Sequence, residues 1–99
     1  MTELQRAPVH PGEVLREEFL VPFGLTQSEL ARSLHTSFRA INELVNEKRG
    51  ITTEMALKLA KFFGTTPQLW LNLQNQYDLY KVSRKKSAEI AAVTQHPAA

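Results

Sequence analysis

Cysteine is absent from this sequence of 99 residues, which contains one tryptophan and a single aspartate, Asp78. The absence of cysteine excludes disulfides, cysteine–zinc sites and thiol catalysis. No run of apolar residues approaches the roughly 20 residues that a membrane-spanning helix needs. Residues 1–6 lack the basic and apolar regions of a secretory signal peptide, so we expect a cytoplasmic protein that does not enter a membrane.

Sequence patterns typical of enzymes are missing as well. There is no glycine-rich phosphate loop and no nucleophile elbow around a serine. His10, Glu13 and Glu17 have the spacing of one helix face, but such a trio on a surface helix is more often solvated than bound to a metal. We therefore expect no catalytic site, no metal and no cofactor.

The composition is that of a folded domain with nearly balanced charge. Hydrophobic residues make up 42% of the chain, which is ordinary for a single globular domain. Twelve lysines and arginines against ten acidic residues give a net charge of +2, which by itself is weak evidence for a nucleic-acid partner. A domain of this size has only a modest apolar core, so dimerisation would help to stabilise it.

Apolar residues recur at helical spacing along the chain, and no segment alternates as a strand would. This periodicity predicts an all-α domain of five short helices joined by brief turns. The first begins at Pro11, since proline suits the first position of a helix, and ends near Pro22. The fourth lies between Thr52 and Gly64, and the fifth begins at Pro67 and loses its apolar stripe near residue 80.

The second helix has the clearest beginning in the sequence. Thr26 and Glu29 have the spacing of a capping box, in which each side chain bonds the backbone N–H of the other residue. Leu25 and Leu30 have the spacing of a hydrophobic staple across the same boundary. The two patterns together predict that this helix begins at Gln27.

The third helix follows after only two residues, His35 and Thr36, and is capped by Ser37 or by Thr36 itself. A connection this short forces the second and third helices to cross steeply, with Ala31 and Ile41 in a small shared core. Such a pair is a helix-turn-helix, whose second helix fits the major groove of DNA.

The exposed side of the third helix carries side chains suited to reading DNA. Asn42 has the chemistry to bond an adenine edge, and Arg39 has the chemistry to bond guanine with two hydrogen bonds. Phe38 is suited to packing on a thymine methyl group, and Ser37 to a base or a phosphate. Further candidates, which flank this face and would contact phosphates, are Gln27, Thr36, Lys48 and Arg49.

Plainer explanations stand beside several of these features. The alternative to a DNA contact for Arg39 is that its side chain is simply solvated. The basic cluster at residues 81–86 has three interpretations: an exposed helix end, a DNA-binding arm or a protein contact. Trp70 fits a core residue better than a ligand pocket. Because Trp70, Tyr77 and Tyr80 exceed the aromatic content that one small core needs, the fifth helix and the tail are candidates for a dimer surface.

Several segments carry a resemblance to known proteins. Residues 27–46 resemble the helix-turn-helix of the phage-repressor class, with Gln27 at its start, Ala31 at its small position, and Ile41 and Leu44 at its late apolar positions. The wider sequence resembles HigA-type antitoxins, also called virulence-associated protein I, over residues 10–80. The segments that carry this second resemblance are residues 10–13, 46–52, 55–60 and 67–74.

The resemblance implies a dimeric repressor that binds its own operator and neutralises a HigB/RelE-like ribonuclease toxin. Two copies of the third helix about 34 Å apart would match an inverted repeat. The alternatives are a free-standing transcriptional regulator and a toxin-binding module that does not bind DNA, which Glu43 and Glu47 favour because they oppose phosphates. We expect a flexible arm (1–9), a repressor-like domain (10–80), and a helix end with a tail (81–99).

Three residues depart from the family pattern. Glycine is usual where His35 stands, at a turn position that tends to be left-handed, so we expect the same turn with modest strain. Glycine is also common where Glu47 stands, and the glutamate brings an anion near the expected phosphate contacts. Phe38 is unusual at a base-reading position, so the operator sequence of relatives does not carry over.

Overall fold

The computed structural model describes residues 7–97, and every regular element in that range is helical. The elements are α1 (Pro11–Val14), a π-helical segment (Leu15–Leu20), α2 (Val21–Phe23), α3 (Gln27–Ser33), α4 (Phe38–Val45), α5 (Thr53–Phe63), α6 (Pro67–Lys85) and α7 (Ser87–Ala91). The predicted all-α class is confirmed. The arm expected at residues 1–9 lies mostly outside the described residues, as do residues 98–99 of the expected tail.

The first predicted helix is interrupted by the π-helical segment. At its end, the N–H of Val21 donates to the carbonyl of Arg16, five residues back in the chain. Pro22 has no N–H, so the ordinary helical hydrogen bond is missing one residue further on. The helix then ends at Gly24, which is left-handed with φ of 64°. The apolar periodicity predicted a helix here but did not reveal its change of hydrogen-bond register.

Helix α6 runs to Lys85, beyond the point where its apolar stripe ends, and the short α7 follows it. The ammonium of Lys81 lies 5.3 Å from the ring centre of Tyr77, and the guanidinium of Arg84 lies 5.2 Å from that of Tyr80. These cation–π contacts between neighbouring turns favour continued helix without apolar burial. None of the helices described in residues 7–97 is long and apolar enough to cross a membrane.

The core lies between the π-helical segment, α3, α4, α5 and the first half of α6. Trp70 is fully buried, and its indole N–H donates to the hydroxyl of Thr65 at 2.9 Å. Trp70 is therefore a core residue, as predicted, and is unavailable to a dimer surface. The other buried hydrophobic residues of this cluster are Leu15, Leu20, Leu30, Ala31, Leu34, Ile41, Leu44, Val45, Ile51, Met55, Ala56, Leu59 and Ala60.

His10 is buried, and the expectation that it is solvated on a surface helix was wrong. Its side chain is 4% exposed, and its Nδ1 accepts the backbone N–H of Gly12 at 2.9 Å, which caps α1. The imidazole packs edge-on against the ring of Tyr77, with 4.8 Å between the ring centres. Gly12 in turn lies against the backbone of Leu44, where a Cβ would overlap the Leu44 carbonyl. The start of α1 is thus packed between the end of α4 and the middle of α6.

Candidate nucleic-acid interface

Helix α3 begins with the predicted capping box. The N–H of Glu29 donates to the Thr26 hydroxyl at 3.0 Å, and the N–H of Thr26 donates to the Glu29 carboxylate at 2.9 Å. The bond from the Thr26 N–H favours the ionised carboxylate, so the pKa of Glu29 is lowered. Leu25, half-buried, and Leu30, fully buried, pack in the same core. This boundary fixes where Gln27, the first residue of α3, presents its side chain.

The turn between α3 and α4 is closed by two backbone hydrogen bonds. The N–H of Thr36 donates to the carbonyl of Ala31 at 3.0 Å, and the N–H of His35 donates to that of Arg32 at 3.2 Å. This is the pattern of a Schellman motif, which requires a left-handed residue after the helix. His35 supplies it with φ of 54°, as expected for a position where glycine is usual. The connection is therefore short and fixed.

Helix α4 has one buried and one exposed side. The hydroxyl of Ser37 accepts the N–H of Ala40 at 3.0 Å, so Ser37 is the N-cap, and Thr36 is not. The buried residues are Ala40, Ile41, Leu44 and Val45. At about 100° of rotation per residue, the remaining positions from Phe38 to Asn46 cover an arc of roughly 140°. This arc faces away from the core.

The end of α4 repeats the backbone closure seen at the end of α3. Glu47 is left-handed with φ of 62°, its N–H donates to Leu44, and the N–H of Lys48 donates to the carbonyl of Glu43 at 2.8 Å. Behind this turn, the side chain of Gln74 accepts the N–H of Ile51 at 2.7 Å. The segment that carries Lys48 is thus fastened to α6 as well as to α4.

A chain of side-chain amides joins α3 to α4. The Nδ2 of Asn42 donates to the Oε1 of Gln27 at 3.0 Å, and the Oδ1 of Asn42 accepts from the Nδ2 of Asn46 at 3.2 Å. Two predicted site residues that lie fifteen positions apart in the sequence are therefore directly bonded. The half-buried Asn42 is held in one orientation at the centre of the exposed arc.

Beside the amide chain, one carboxylate binds two guanidinium groups. The Nε of Arg39 donates to Glu43 Oε2 at 2.8 Å, and Arg49 donates to Glu43 Oε1 through Nη2 at 2.7 Å and through Nε at 3.1 Å. These hydrogen bonds favour the ionised carboxylate and lower the pKa of Glu43, and the bond from Arg39 has the larger effect. Glu43 therefore repels DNA phosphates less than an unpaired glutamate would, because its charge is compensated within the protein.

The remaining predicted site residues lie at the two ends of α4. Phe38 is 51% exposed at the first helical position, and Lys48 is exposed in the turn that follows. The Ser37 hydroxyl is engaged in capping, and Thr36 is half-buried in the preceding turn. All eight predicted residues are thus on α4, on the two turns that bound it, or at the start of α3.

The sequence analysis did not identify Glu43 and Gln74 as residues that organise this surface. The Arg39–Glu43 pair has the i,i+4 spacing of a helical ion pair, and that spacing was the available signal for it. The bond between Glu43 and Arg49 depends on the path of the turn and has no comparable signal. Gln74 is distant from α4 in sequence, and only the packing of α6 brings its side chain to Ile51.

Two short helices, joined by a closed left-handed turn and exposing amide and guanidinium groups on the second helix, define a helix-turn-helix protein. The sequence pattern of the helix-turn-helix family matches residues 15–70, and this chain belongs to that family.

Named relatives and solved structures agree with this assignment. Virulence-associated protein I of Dichelobacter nodosus is 50% identical over 80 residues, which cover 81% of this chain and 74% of that protein. Antitoxin HigA-1 of Vibrio cholerae is 36% identical over 89 residues, covering 90% and 84%. The solved structure of Pseudomonas aeruginosa antitoxin HigA with the higBA promoter superimposes with a TM-score of 0.85 at 39% identity, covering 91% and 98%. The resemblance to HigA-type antitoxins is confirmed.

Proposed function

We propose that this chain is a sequence-specific DNA-binding antitoxin of a type II toxin–antitoxin system. It represses its own operon by binding an inverted-repeat operator, and it neutralises a HigB/RelE-like ribonuclease toxin. The observation that carries the DNA-binding half is the exposed arc of α4, which presents oriented amide and guanidinium groups on a helix fixed at both ends. The solved relative with the higBA promoter supports it.

In this proposal, α4 enters the major groove and its side chains divide the work. Arg39 and Asn42 bond base edges, and Phe38 packs on a thymine methyl group. Ser37 contacts a base or a phosphate at the start of the helix. Gln27, Thr36, Lys48 and Arg49 contact phosphates and so set the position of the protein on the duplex.

Substitution of the two base-reading side chains tests the DNA-binding half. Arg39→Ala and Asn42→Ala should each weaken operator binding by about 1–3 kcal/mol and relax base preference, measured by gel shift on DNA upstream of the gene. Lys61→Ala is the matched control, because it removes an exposed cation from α5 and not from α4. Wild-type affinity in both α4 variants would refute the assignment of these residues.

Co-expression tests the toxin-binding half. The reading frame next to this gene should encode a small basic protein that arrests growth, and co-expression of this chain should relieve the arrest. Absence of such a frame would instead favour a free-standing transcriptional regulator. Co-purification with the toxin, without any salt-sensitive binding to DNA, would favour a toxin-binding module. That last alternative rested on Glu43 and Glu47, and the ion pairs of Glu43 remove half of its support.

The proposed activity also implies an assembly and a location. An inverted repeat has two-fold symmetry, so we expect a homodimer, which light scattering on the purified protein checks. Because its ligand is the DNA of its own operon, we assign the protein to the cytoplasm. Its action is binding without catalysis.

A further inference from the structure

Glu43 is the most engaged side chain on the exposed arc of α4. Its side chain is 25% exposed, against 82% for Arg39 and 44% for Arg49, so the carboxylate is sheltered beneath the two guanidinium groups. Each carboxylate oxygen is bonded to a different arginine. The three side chains together carry one net positive charge.

The two arginines use different nitrogen atoms. Arg49 bonds Glu43 with both Nε and Nη2, which is the whole side edge of its guanidinium. Arg39 bonds through Nε, the nitrogen nearest its aliphatic chain. That bond does not occupy the terminal pair, Nη1 and Nη2, and this pair matches the O6 and N7 acceptors of guanine.

The ion pair with Glu43 restricts the rotamers of Arg39, whose side chain is long and flexible. An arginine that is 82% exposed loses much of its rotamer freedom when it binds a base, unless it is oriented beforehand. Here the carboxylate is positioned in turn by Arg49, which is attached to the turn fixed after α4. The ion pair therefore favours one orientation of Arg39 before any contact with DNA is made.

We propose that Glu43 is a specificity-determining positioning residue, which orients Arg39 toward one guanine in the operator. The proposal rests on the proposed DNA-binding function and adds a second effect. At a site without that guanine, the terminal amino groups of Arg39 find no matched acceptors, while Glu43 still neutralises one of the two guanidinium charges that would otherwise attract DNA phosphates. Glu43 thus lowers affinity for wrong sequences more than for the correct one.

The experiment is to compare Glu43→Ala, Glu43→Gln and Arg39→Ala with the wild type. A site is first selected from a library of randomised duplexes with the wild-type protein, and every single-base-pair change in one half-site is then measured by competition binding. Arg39→Ala identifies the base pair that Arg39 reads, as the position where preference is lost. Circular dichroism and thermal melting check that each variant is folded.

Glu43→Ala should lose preference at that same base pair, by roughly tenfold or more, and keep it at the others. Its affinity for unrelated duplexes should rise several-fold, because one anion has been removed. Glu43→Gln retains one acceptor oxygen, so its base preference should fall between those of the wild type and Glu43→Ala. The double variant with Arg39→Ala should discriminate no worse than Arg39→Ala alone, since both changes remove one shared interaction.

Glu47→Gln is the matched control, because it neutralises a carboxylate in the following turn. It should raise affinity for all duplexes equally and leave base preference unchanged. If Glu43→Ala behaves like Glu47→Gln, Glu43 is merely an anion and the proposal is wrong. Loss of preference at every position would indicate a general structural role and would also overturn it. Failure of the wild type to select any site would instead refute the proposed DNA-binding function.

Discussion

At the scale of single residues, His10 connects protonation to stability. Burial disfavours the imidazolium and lowers the pKa of His10, an effect that the carboxylates of Glu47 and Asp78 partly offset and that Lys81 reinforces. The unfolded chain therefore binds a proton more readily than the folded protein does. The free energy of unfolding should be fully retained above about pH 6.5 and should decrease as the pH falls below that value.

His10→Asn tests this expectation, because an asparagine oxygen can still accept the N–H of Gly12 but does not titrate. Urea denaturation between about pH 7.5 and pH 5 should show a decrease for the wild type and a smaller one for the variant. The range ends there because the carboxylates of Glu29 and Glu43, with lowered pKa values, lose their stabilising contribution only at more acidic pH. Equal pH dependence of the two proteins would contradict the role assigned to His10.

His35 stores strain in the turn between α3 and α4. A side chain at φ of 54° costs free energy that glycine avoids, although glycine also increases the entropy of the unfolded chain. His35→Gly should therefore raise the free energy of unfolding by up to about 1 kcal/mol. His35→Ala keeps a Cβ and should bring no such gain when both variants are compared by thermal melting. A gain of the same size in both would mean that the imidazole, and not the backbone, is the source.

At the scale of elements, the contact between α1 and the end of α4 has no room for a side chain. A Cβ at Gly12 would overlap the carbonyl oxygen of Leu44, which belongs to the backbone and cannot rotate away. Gly12→Ala should destabilise the protein by about 3 kcal/mol, measured by chemical denaturation. Gly24→Ala is the control, because a Cβ there meets open space and the cost is only that of a left-handed backbone, about 1 kcal/mol. Equal losses of stability in the two variants would show that α1 moves away from the end of α4 without cost.

The helices predictable from sequence are those with local signals at their ends. The capping box at Thr26, the caps Ser37 and Thr52, and glycine at residue 64 act within one helical turn, and the structure has each boundary there. The π-helical segment was not predicted, and the continuation of α6 to Lys85 was predicted only as a helix end, one of the alternatives for the basic residues 81–86. They depend on a shifted hydrogen bond and on cation–π contacts, neither of which changes apolar periodicity.

The candidate site was predictable in its composition and not in its connections. The exposed residues of α4 follow from helical periodicity once the buried positions are known. The bonds from Gln27 to Asn42 and from Arg49 to Glu43 arise where separate segments meet in space, so spacing along the chain does not reveal them. For the same reason, His10 appeared as a surface histidine, although Tyr77 and Gly12 enclose it in the fold.

At the scale of the whole molecule, affinity for DNA should depend steeply on salt. Each phosphate contact releases condensed counterions, so the logarithm of affinity falls linearly with the logarithm of salt concentration. Lys48→Ala should weaken binding to every duplex equally and reduce the steepness of that line by about 0.9, measured by fluorescence anisotropy. Lys61→Ala should leave the slope unchanged. An unchanged slope for Lys48→Ala would exclude Lys48 from the phosphate contacts.

The two left-handed closures, at His35 and Glu47, bear on the thermodynamics of complex formation. Helix α4 begins after the closed turn at His35, is capped by the Ser37 hydroxyl and ends in the closed turn at Glu47, so it is already formed in the free protein and its association with DNA involves no coupled folding of this part. Calorimetry of DNA binding should therefore show a heat-capacity change that matches the apolar area buried at the contact. The larger decrease that accompanies folding of a disordered segment on binding should be absent.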